Sequence, residues 1–433
     1  MASEPLATQF PDYGRCLRKH FAFDPDFVPL NHGALGATPR AVLDASNDLT
    51  LEMESNPDDF VWLRYESKLN EVRQQIARLV HADVDECVLV PNVCNGINTI
   101  LRNFEWQEGD AIIITNCTFN PIANAARHIS QTYPFPAVIE FPLHFPESRE
   151  DLLVRWRNLL RELALPSASS GSSQQRVVAI IDSIVSGPGL VMPWKEMVQA
   201  CKERGVWTVI DAAHSLGQER VDLSASQPDF WVSNTSKWLF AKRGCAVLYV
   251  PKSVAYDRNQ HIIKTSLPTA FHAPFSPDTS TFGSRFAWFG SVDLTIALSI
   301  PAALRFQESL GGEDRINAYC RALALAGGKR LADILGTREM DQSPDRAWTA
   351  NMVAVELPVP ADVVFSFETM RFFQIRLIEQ HKVYASQTFH NGKWWTRASA
   401  AIYNDVSDFE KLGYALVEVC REIAKRPRAG ARL

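Results

Sequence analysis

The stretch Val206–Trp238, VWTVIDAAHSLGQERVDLSASQPDFWVSNTSKW, decides the fold of this chain. Val206–Ile210 is a short, apolar and β-branched run, which is typical of a buried strand. The strand delivers Asp211 to its carboxyl end, where open α/β sheets bind their ligands. A second apolar run, Asp229–Val232, leads to Lys237. The spacing therefore predicts an acid and a lysine that face each other at one edge of a sheet.

An acid and a lysine in this arrangement can hold a planar cofactor between them. In pyridoxal 5'-phosphate (PLP) chemistry a lysine forms a Schiff base with the cofactor, and an acid pairs with the pyridinium nitrogen. Lys237 and Asp211 are the candidates for these two roles. Strand-end acids and exposed lysines are common in α/β proteins, so the pair alone does not identify such an enzyme.

The sequence segments around Asp211 and Lys237 are more specific than the pair itself. The segments IDAAH (210–214), DFWVSNTSKW (229–238) and RGCAVLYVP (243–251) resemble the class V aminotransferase-like branch of fold-type I PLP enzymes. The resemblance extends over about residues 30–410 and is closest to the fungal hercynylcysteine sulfoxide lyase, isopenicillin N epimerase-like and loline-biosynthesis group. It implies an α/β fold with a mostly parallel seven-stranded sheet, helices on both faces and a smaller C-terminal α+β domain.

The pattern along the chain agrees with this fold class. Apolar runs at Cys87–Val90, Asp110–Thr115 and Arg176–Ile181 predict further strands, and Met192–Arg204 predicts a helix that crosses back to the strand before Asp211. Alternation of strands and helices in this way indicates a parallel sheet.

From about Leu304 the pattern changes to that of a smaller α+β domain. It predicts helices near Arg315–Leu335 and Ser366–Gln380, strands near Met352–Leu357 and Trp394–Ile402, and a final helix from Val406 to about Lys425. We therefore divide the chain into an N-terminal arm and active-site entrance loop (1–40), a large PLP-binding domain (41–303) and a small C-terminal domain (304–433).

Composition narrows the possible partners and compartments. The net charge is −5 and there is no long basic run, which argues against a nucleic-acid partner. The eight cysteines lack zinc-site spacing, so we expect reduced thiols and no metal site. No signal peptide or membrane-spanning run is recognisable. The C-terminal Ala431-Arg432-Leu433 resembles a Ser-Lys-Leu peroxisomal address, so we expect a cytoplasmic or peroxisomal protein.

Several segments match the family's cofactor-binding positions. Pro91–Leu101 reads as a turn that enters a helix, and the N–H groups of such a turn can bind an anion. The resemblance places the PLP phosphate here. Phe119 stands where relatives carry a tyrosine or histidine that stacks on the ring, and Phe286–Asp293 resembles a segment that reaches the neighbouring subunit, which implies a homodimer with shared active sites. The cofactor-binding residues that the resemblance implies are Lys237, Asp211, His214, Phe119, Val93, Cys94, Asn95, Ser183, Ser236 and Ser291.

The substrate side is indicated by Arg397, in the pattern R-x-S-x-x-x-Y-N that ends at Asn404. A planar guanidinium binds a carboxylate through two parallel hydrogen bonds, and family members grip the substrate α-carboxylate with an arginine here. Asn31 and His32 belong to a glycine-containing loop that resembles the family's active-site entrance. We therefore assign Arg397, His32 and Asn31 to an amino-acid substrate, with Lys237, Asp211 and His214 as the catalytic residues.

The sequence leaves the reaction open among several outcomes. The first hypothesis is a PLP-dependent C–S lyase that eliminates the sulfur group of a cysteine conjugate or cysteine sulfoxide. No cysteine lies between Gly336 and Asn351, which argues against a desulfurase that takes sulfur on a mobile-loop cysteine. Phe119 and Ser236 differ from the usual tyrosine and histidine, and this favours the alternative of a bond-forming biosynthetic enzyme, as in loline-type secondary metabolism. An amino-acid epimerase is another alternative. A PLP-fold binding module without catalysis is a further possibility.

Overall fold

The computed structural model describes residues 10–163, 175–255, 282, 286 and 292–426. The predicted cross-subunit contact Ser291 and the C-terminal Ala431-Arg432-Leu433 therefore lie outside the described residues.

The described residues form two larger β-sheets and one two-stranded pair. In chain order the strands are β1 (Val28–Pro29), β2 (Cys87–Val90), β3 (Ala111–Thr115), β4 (Ala137–Phe141), β5 (Val177–Asp182), β6 (Trp207–Asp211), β7 (Phe230–Asn234), β8 (Ala246–Tyr249), β9 (Met352–Glu356), β10 (Val383–Tyr384), β11 (Ser386–His390) and β12 (Lys393–Ser399).

Helices surround these sheets. In chain order they are α1 (His32–Leu35), α2 (Arg40–Ser55), α3 (Pro57–Asp59), α4 (Tyr65–Leu79), α5 (Val93–Asn103), α6 (Asn120–Ser130), α7 (Arg149–Glu162), α8 (Trp194–Lys202), α9 (Leu223–Ser226), α10 (Lys252–Ala255), α11 (Thr295–Leu298), α12 (Ile300–Ser309), α13 (Gly312–Leu335), α14 (Phe367–Ile375) and α15 (Val406–Lys425). Short 3₁₀ turns cover Arg15–His20 and Val84–Glu86, and π-helical turns cover Phe60–Arg64 and Arg376–Gln380.

The large sheet has seven strands in the order β2-β8-β7-β6-β5-β3-β4. The central strands pair in parallel, and β8 runs antiparallel to both of its neighbours. Neighbouring residues such as Val209 and Ile210 on β6 belong to apolar clusters on opposite faces of the sheet. A parallel sheet covered on both faces requires such continuous apolar strands. The predicted fold class, a mostly parallel seven-stranded sheet with helices on both faces, is confirmed.

The C-terminal part contains a three-stranded antiparallel sheet in the order β11-β12-β9. One face of this sheet shares an apolar core with α13 and α15. The other face carries Arg397, whose cross-strand neighbours are Ser386 and Ala354. The sheet thus holds Arg397 on the side opposite to its helices.

The N-terminal segment packs against the C-terminal part. β1 pairs in parallel with β10, and the Gly14 N–H donates to the carbonyl oxygen of Ile402 at 2.7 Å. The Arg18 guanidinium lies 2.7 Å from the buried Asp408 carboxylate. This packing carries the chain to the entrance loop at residue 31. The predicted domain boundaries after residues 40 and 303 stay predictions.

Candidate functional site

The site lies where the central parallel strands end. Asp182, the last residue of β5, and Asp211, the last residue of β6, are cross-strand neighbours. Lys237 follows β7 by three residues. All three line a cavity of about 90 Å³, and both aspartates are buried. The strand order thus brings together the acid and the lysine that the sequence predicted, and we call this space the strand-end cavity.

Lys237 is held in an environment that favours its neutral amine. Its Nζ lies 3.2 Å from Nε2 of His214. Burial lowers the pKa of Lys237 to about 8, the Asp211 carboxylate acts in the opposite direction, and the Arg397 guanidinium adds to the lowering. A lysine with such a pKa has a substantial neutral fraction near neutral pH, which both Schiff-base formation and proton abstraction require.

His214 is a neutral ring at the floor of the cavity. Burial, and then the positive charges of Lys237 and Arg397, hold its pKa well below the usual value. Nδ1 of His214 is buried and has no hydrogen-bond partner among the described residues. The neutral ring therefore offers one unused nitrogen, which donates or accepts according to the tautomer that the contact with Lys237 selects.

Helix α5 begins at the cavity with two backbone N–H groups that have no acceptor within the helix. Asn92 caps the helix, and its side chain accepts from the Asn95 N–H at 2.9 Å. The Val93 and Cys94 N–H groups lie in the first turn, where a helix provides no acceptor. Asn92, Val93 and Cys94 line the cavity, so the start of α5 can bind an anion there. The N–H of Asn95, by contrast, is already used by the cap.

The backbone on both sides of Lys237 packs closely against a glycine. A Cβ on Gly36, whose φ is +73°, would lie 1.9 Å from the carbonyl oxygen of Ser236. A Cβ on Gly217, whose φ is +81°, would lie 2.2 Å from the carbonyl oxygen of Trp238. Only residues without a side chain fit at such distances from backbone. The segment that carries the lysine is therefore fixed from both sides.

His32 is buried and is not among the residues that line the cavity, so its assignment to the substrate stays a prediction. Its Nε2 lies 2.7 Å from the carbonyl oxygen of Lys237, and its Nδ1 lies 2.8 Å from the Tyr403 hydroxyl. A carbonyl oxygen only accepts, so Nε2 carries the proton, and burial lowers the pKa of His32 to about 4. The neutral ring therefore accepts from Tyr403 at Nδ1. Both nitrogens are used within the protein, so no nitrogen is left for a substrate.

Arg397 reaches the same region from the C-terminal sheet. It donates to the carbonyl oxygen of Ser186, and its Nη2 donates to Oδ1 of Asn31 at 3.0 Å. Its Nε has no partner in the described part of the chain. Burial lowers the pKa of the guanidinium to about 10, so it stays charged at neutral pH. A Cβ on Gly189 would lie 2.8 Å from the Arg397 side chain. The absence of a side chain at Gly189 therefore leaves room for the arginine.

Three predicted cofactor contacts, Asn95, Ser183 and Ser236, are not among the residues that line the cavity. The Ser183 hydroxyl bonds with the Ser215 hydroxyl at 2.7 Å and is fully buried away from the cavity lining. Side chains alternate across a strand, so the residue after the inward-facing Asp182 points the other way. Ser236 is buried and is likewise not a lining residue. Phe119 does line the cavity and remains 43% exposed, so its ring is available for stacking.

Four polar lining residues were not assigned from the sequence. They are Asn92, Asp182, Ser186 and Asn234. Asp182 precedes the turn at 183–189 as Asp211 precedes its own, but its register opposite Asp211 is visible only in the paired strands. Ser186 participates through its backbone carbonyl, which no sequence pattern identifies.

The site fits PLP by the chemistry of its donors. It has a buried lysine with a lowered pKa, a buried acid, a His214 Nδ1 without a partner among the described residues, and a helix start whose first N–H groups have no acceptor within the helix. These features match the cofactor's aldehyde, pyridine nitrogen, ring oxygen and phosphate. Among the described residues, no group of three or more His, Cys, Asp or Glu side chains could hold a metal ion, and no helix is long and apolar enough to span a membrane.

Comparison with known proteins agrees with this site. The profile of the family described as "Aminotransferase class-V" matches residues 30–412. The chain belongs to the aminotransferase class-V family. A relative named "L-cysteine desulfhydrase-like protein lolT1", from Epichloe uncinata, is 33% identical, and the match covers 96% of this chain and 97% of the relative. The "Hercynylcysteine sulfoxide lyase" of Schizosaccharomyces pombe is 28% identical over 94% of this chain and 98% of its own length. The predicted resemblance is confirmed.

A solved structure supports the class V fold. It is a complex between the cystine C-S lyase C-DES and its product cysteine persulfide, with a TM-score of 0.74 and 17% identity. The match covers 91% of this chain and 98% of that one. At such low identity the similarity establishes the fold alone.

Proposed function

We propose that this chain is a PLP-dependent C–S lyase that removes the sulfur group from a cysteine conjugate or a cysteine sulfoxide-type amino acid. The observation that carries the proposal is the strand-end cavity, in which Lys237 and Asp211 face each other and to which Arg397 is adjacent. Relatives named as a desulfhydrase-like protein and a sulfoxide lyase, which match nearly the whole chain, support the same reaction type.

PLP, when bound, withdraws electrons from Cα of an attached amino acid and so makes the Cα proton removable. The protein's own residues then have distinct tasks. Arg397 binds the substrate carboxylate, and Asn31 orients the guanidinium. Lys237, whose amine is neutral above about pH 8, accepts the Cα proton. Asp211 remains the negative charge for the pyridine nitrogen.

The elimination and the hydrolysis that follows it consume only the substrate and water. Lys237 takes the Cα proton, the Cβ–S bond breaks, and the sulfur group leaves with the bonding electrons and gains a proton. The unsaturated amino acid that is released hydrolyses to pyruvate and ammonia. A persulfide on a mobile-loop cysteine is not part of this scheme, because no cysteine lies between Gly336 and Asn351, and Cys320 is buried in α13, where burial raises the pKa of its thiol.

The decisive experiment is an assay of pyruvate and ammonia. The PLP-loaded protein would be incubated with cysteine, cysteine S-conjugates and their sulfoxides. Pyruvate from one sulfur substrate, lost in Lys237→Ala and kept in Lys252→Ala, supports the proposal. Lys252 is a suitable control because it pairs with Asp83 on the surface, away from the cavity.

A result without pyruvate also has a defined meaning. Exchange of the Cα proton for deuterium in D2O, without pyruvate, would contradict the lyase and favour the bond-forming or epimerase alternatives. A colourless protein that cannot be reconstituted with PLP would contradict every one of these enzyme functions.

The protein further acts, in this proposal, as a homodimer with shared active sites. Leu51 on α2 and Leu63 in the π-helical turn Phe60–Arg64 are 70% and 77% exposed, and a subunit contact over them would remove this apolar surface from water. The resemblance of Phe286–Asp293 to a cross-subunit segment supports the same assembly. Light scattering coupled to gel filtration measures it, and Leu63→Asp should shift the mass from dimer to monomer. A monomeric wild-type protein with full activity would contradict shared sites.

A further inference from the structure

Asp182 is a second carboxyl group at the strand-end cavity, and the reaction scheme does not use it. It ends β5 as Asp211 ends β6, and the two residues are cross-strand neighbours in a parallel pair. Cross-strand neighbours project their side chains to the same face of a sheet, with the strands about 5 Å apart. Both side chains line the cavity and both are only 3% exposed.

The two aspartates differ in the hydrogen bonds that they accept. Oδ1 of Asp211 accepts from the Ala213 N–H at 3.0 Å, as suits an ionised carboxylate. Oδ2 of Asp182 is buried and has no hydrogen-bond partner in the described part of the chain. An ionised oxygen without a donor is costly to bury, whereas a protonated oxygen can itself donate to a ligand.

The surrounding charges permit one negative charge more easily than two. The cationic groups that act on the pair are Lys237 directly and Arg397 through Lys237, while His214 is neutral and Cys94 is a thiol. Lys237 itself becomes neutral near pH 8. Two carboxylates that share a buried site do not both ionise. Burial and then Asp211 raise the pKa of Asp182 well above its usual value, which agrees with this conclusion.

We propose that Asp182 is the protonated member of a carboxyl pair with Asp211 and donates a hydrogen bond from Oδ2 to the ligand in the strand-end cavity. Asp182 is thus a cofactor-facing residue that keeps the charge of the pair at one negative unit, carried by Asp211. The inference rests on the proposed function insofar as PLP is that ligand. The role of Asp182 differs from the roles that the proposed function gives to Lys237, Asp211 and Arg397.

The first test compares pH titrations of the visible absorption band of the PLP-loaded protein. Asp182→Asn replaces a neutral acid by a neutral amide of the same shape, so the midpoint of the titration stays where it is in the wild type. Had Asp182 been ionised, its loss would remove a negative charge near the Lys237 nitrogen and lower the midpoint by about one unit or more. Such a shift would overturn the proposal.

The matched control is Asp229→Asn. Asp229 is also largely buried, and its carboxylate accepts from the N–H and hydroxyl of Thr208, but it precedes β7 at the opposite edge of the sheet. This variant reports the cost of losing a buried, hydrogen-bonded acid elsewhere. A titration midpoint that moves equally in both variants would show a general effect on the fold and would overturn the specific role of Asp182.

The second test does not require the cofactor. Infrared difference spectra between wild type and Asp182→Asn, both without PLP, isolate the carbonyl stretch of a protonated carboxyl group. The band is expected in the wild type and absent from the variant, and a wild type without it would overturn the proposal. A protein that shows the band but never acquires a visible PLP absorption would contradict the proposed function and leave the protonation of Asp182 supported.

Discussion

Nε2–H of His32 donates a 2.7 Å hydrogen bond to the carbonyl oxygen of Lys237, while the side chain of the neighbouring Asn31 accepts from Arg397 at 3.0 Å. Two adjacent residues therefore hold the lysine and the arginine on which the proposed reaction depends. This relationship fixes the separation between the groups that receive the amine and the carboxylate of a substrate.

We expect His32→Phe to weaken both the fold and the retention of PLP. The change leaves the Lys237 carbonyl and the Tyr403 hydroxyl without partners, and each buried polar group left unpaired costs about 1–3 kcal/mol. The control is Tyr403→Phe, which removes only the hydroxyl that bonds to Nδ1. Urea unfolding should show a loss in both variants, but only His32→Phe should release PLP faster. Equal release rates from the two variants would contradict a specific hold on Lys237.

The rate at which the PLP-free protein captures PLP should depend on pH through Lys237. The attacking amine must be neutral, and the pKa of Lys237 is lowered to about 8, mainly by burial. The rate therefore rises as the pH increases towards 8 and levels off above it. An ordinary lysine would continue to gain up to about pH 10.4. Stopped-flow absorbance measures the rate, and a continued rise beyond pH 9 would show that Lys237 is not perturbed.

Arg397→Lys should lower kcat/KM by about 100-fold, equivalent to about 2.7 kcal/mol. A lysine can neither bind a carboxylate through two parallel hydrogen bonds nor keep the bonds to Asn31 and Ser186 at once. The loss should appear mainly in KM, because the carboxylate is bound before and during the reaction. Arg321→Lys is the control, since Arg321 also donates to backbone carbonyls but, unlike Arg397, is not among the charges that act on Lys237. Equal KM values for Arg397→Lys and wild type would remove Arg397 from the substrate site.

Gly36→Ala should destabilise the protein more than Gly392→Ala, although both glycines have nearly the same φ, +73° and +72°. The positive φ costs an alanine about 1–2 kcal/mol at either position. At Gly392 no atom lies within 4 Å of the added Cβ, whereas at Gly36 the Ser236 carbonyl oxygen is at 1.9 Å. The difference between the unfolding free energies of the two variants measures the cost of the contact, because the backbone strain is the same in both. Similar values for both would mean that the loop around Lys237 yields without cost.

Sequence patterns predicted the elements that depend on local periodicity. The strand Cys87–Val90 and the last helix, Val406–Lys425, have the predicted bounds, because apolar spacing alone defines them. The strand Ser386–His390 was not predicted. It contains Gln387 and Thr388 and exists because it pairs with β12. Strands formed by long-range pairing leave a weak local signal.

In the candidate site, too, local sequence patterns were predictable and long-range contacts were not. Lys237, Asp211 and Arg397 were assigned from their positions, and the structure brings them to one region. The hydrogen bonds of His32 could not be predicted, because its two partners lie 205 and 371 residues away in the chain. Asp182 was not assigned, because its importance comes from its register opposite Asp211, which only the paired strands reveal.

The pairing of β1 with β10 sets the order in which the molecule can be completed during synthesis. Residues 28–29 leave the ribosome early, but their partners at 383–384 emerge about 350 residues later. At about 5–20 residues per second, the early segment waits for tens of seconds without its hydrogen-bonding neighbour. His32 cannot take its final position against Tyr403 until that partner has also emerged. The nascent chain can therefore build its central sheet first, and it acquires a competent lysine only near the end of translation.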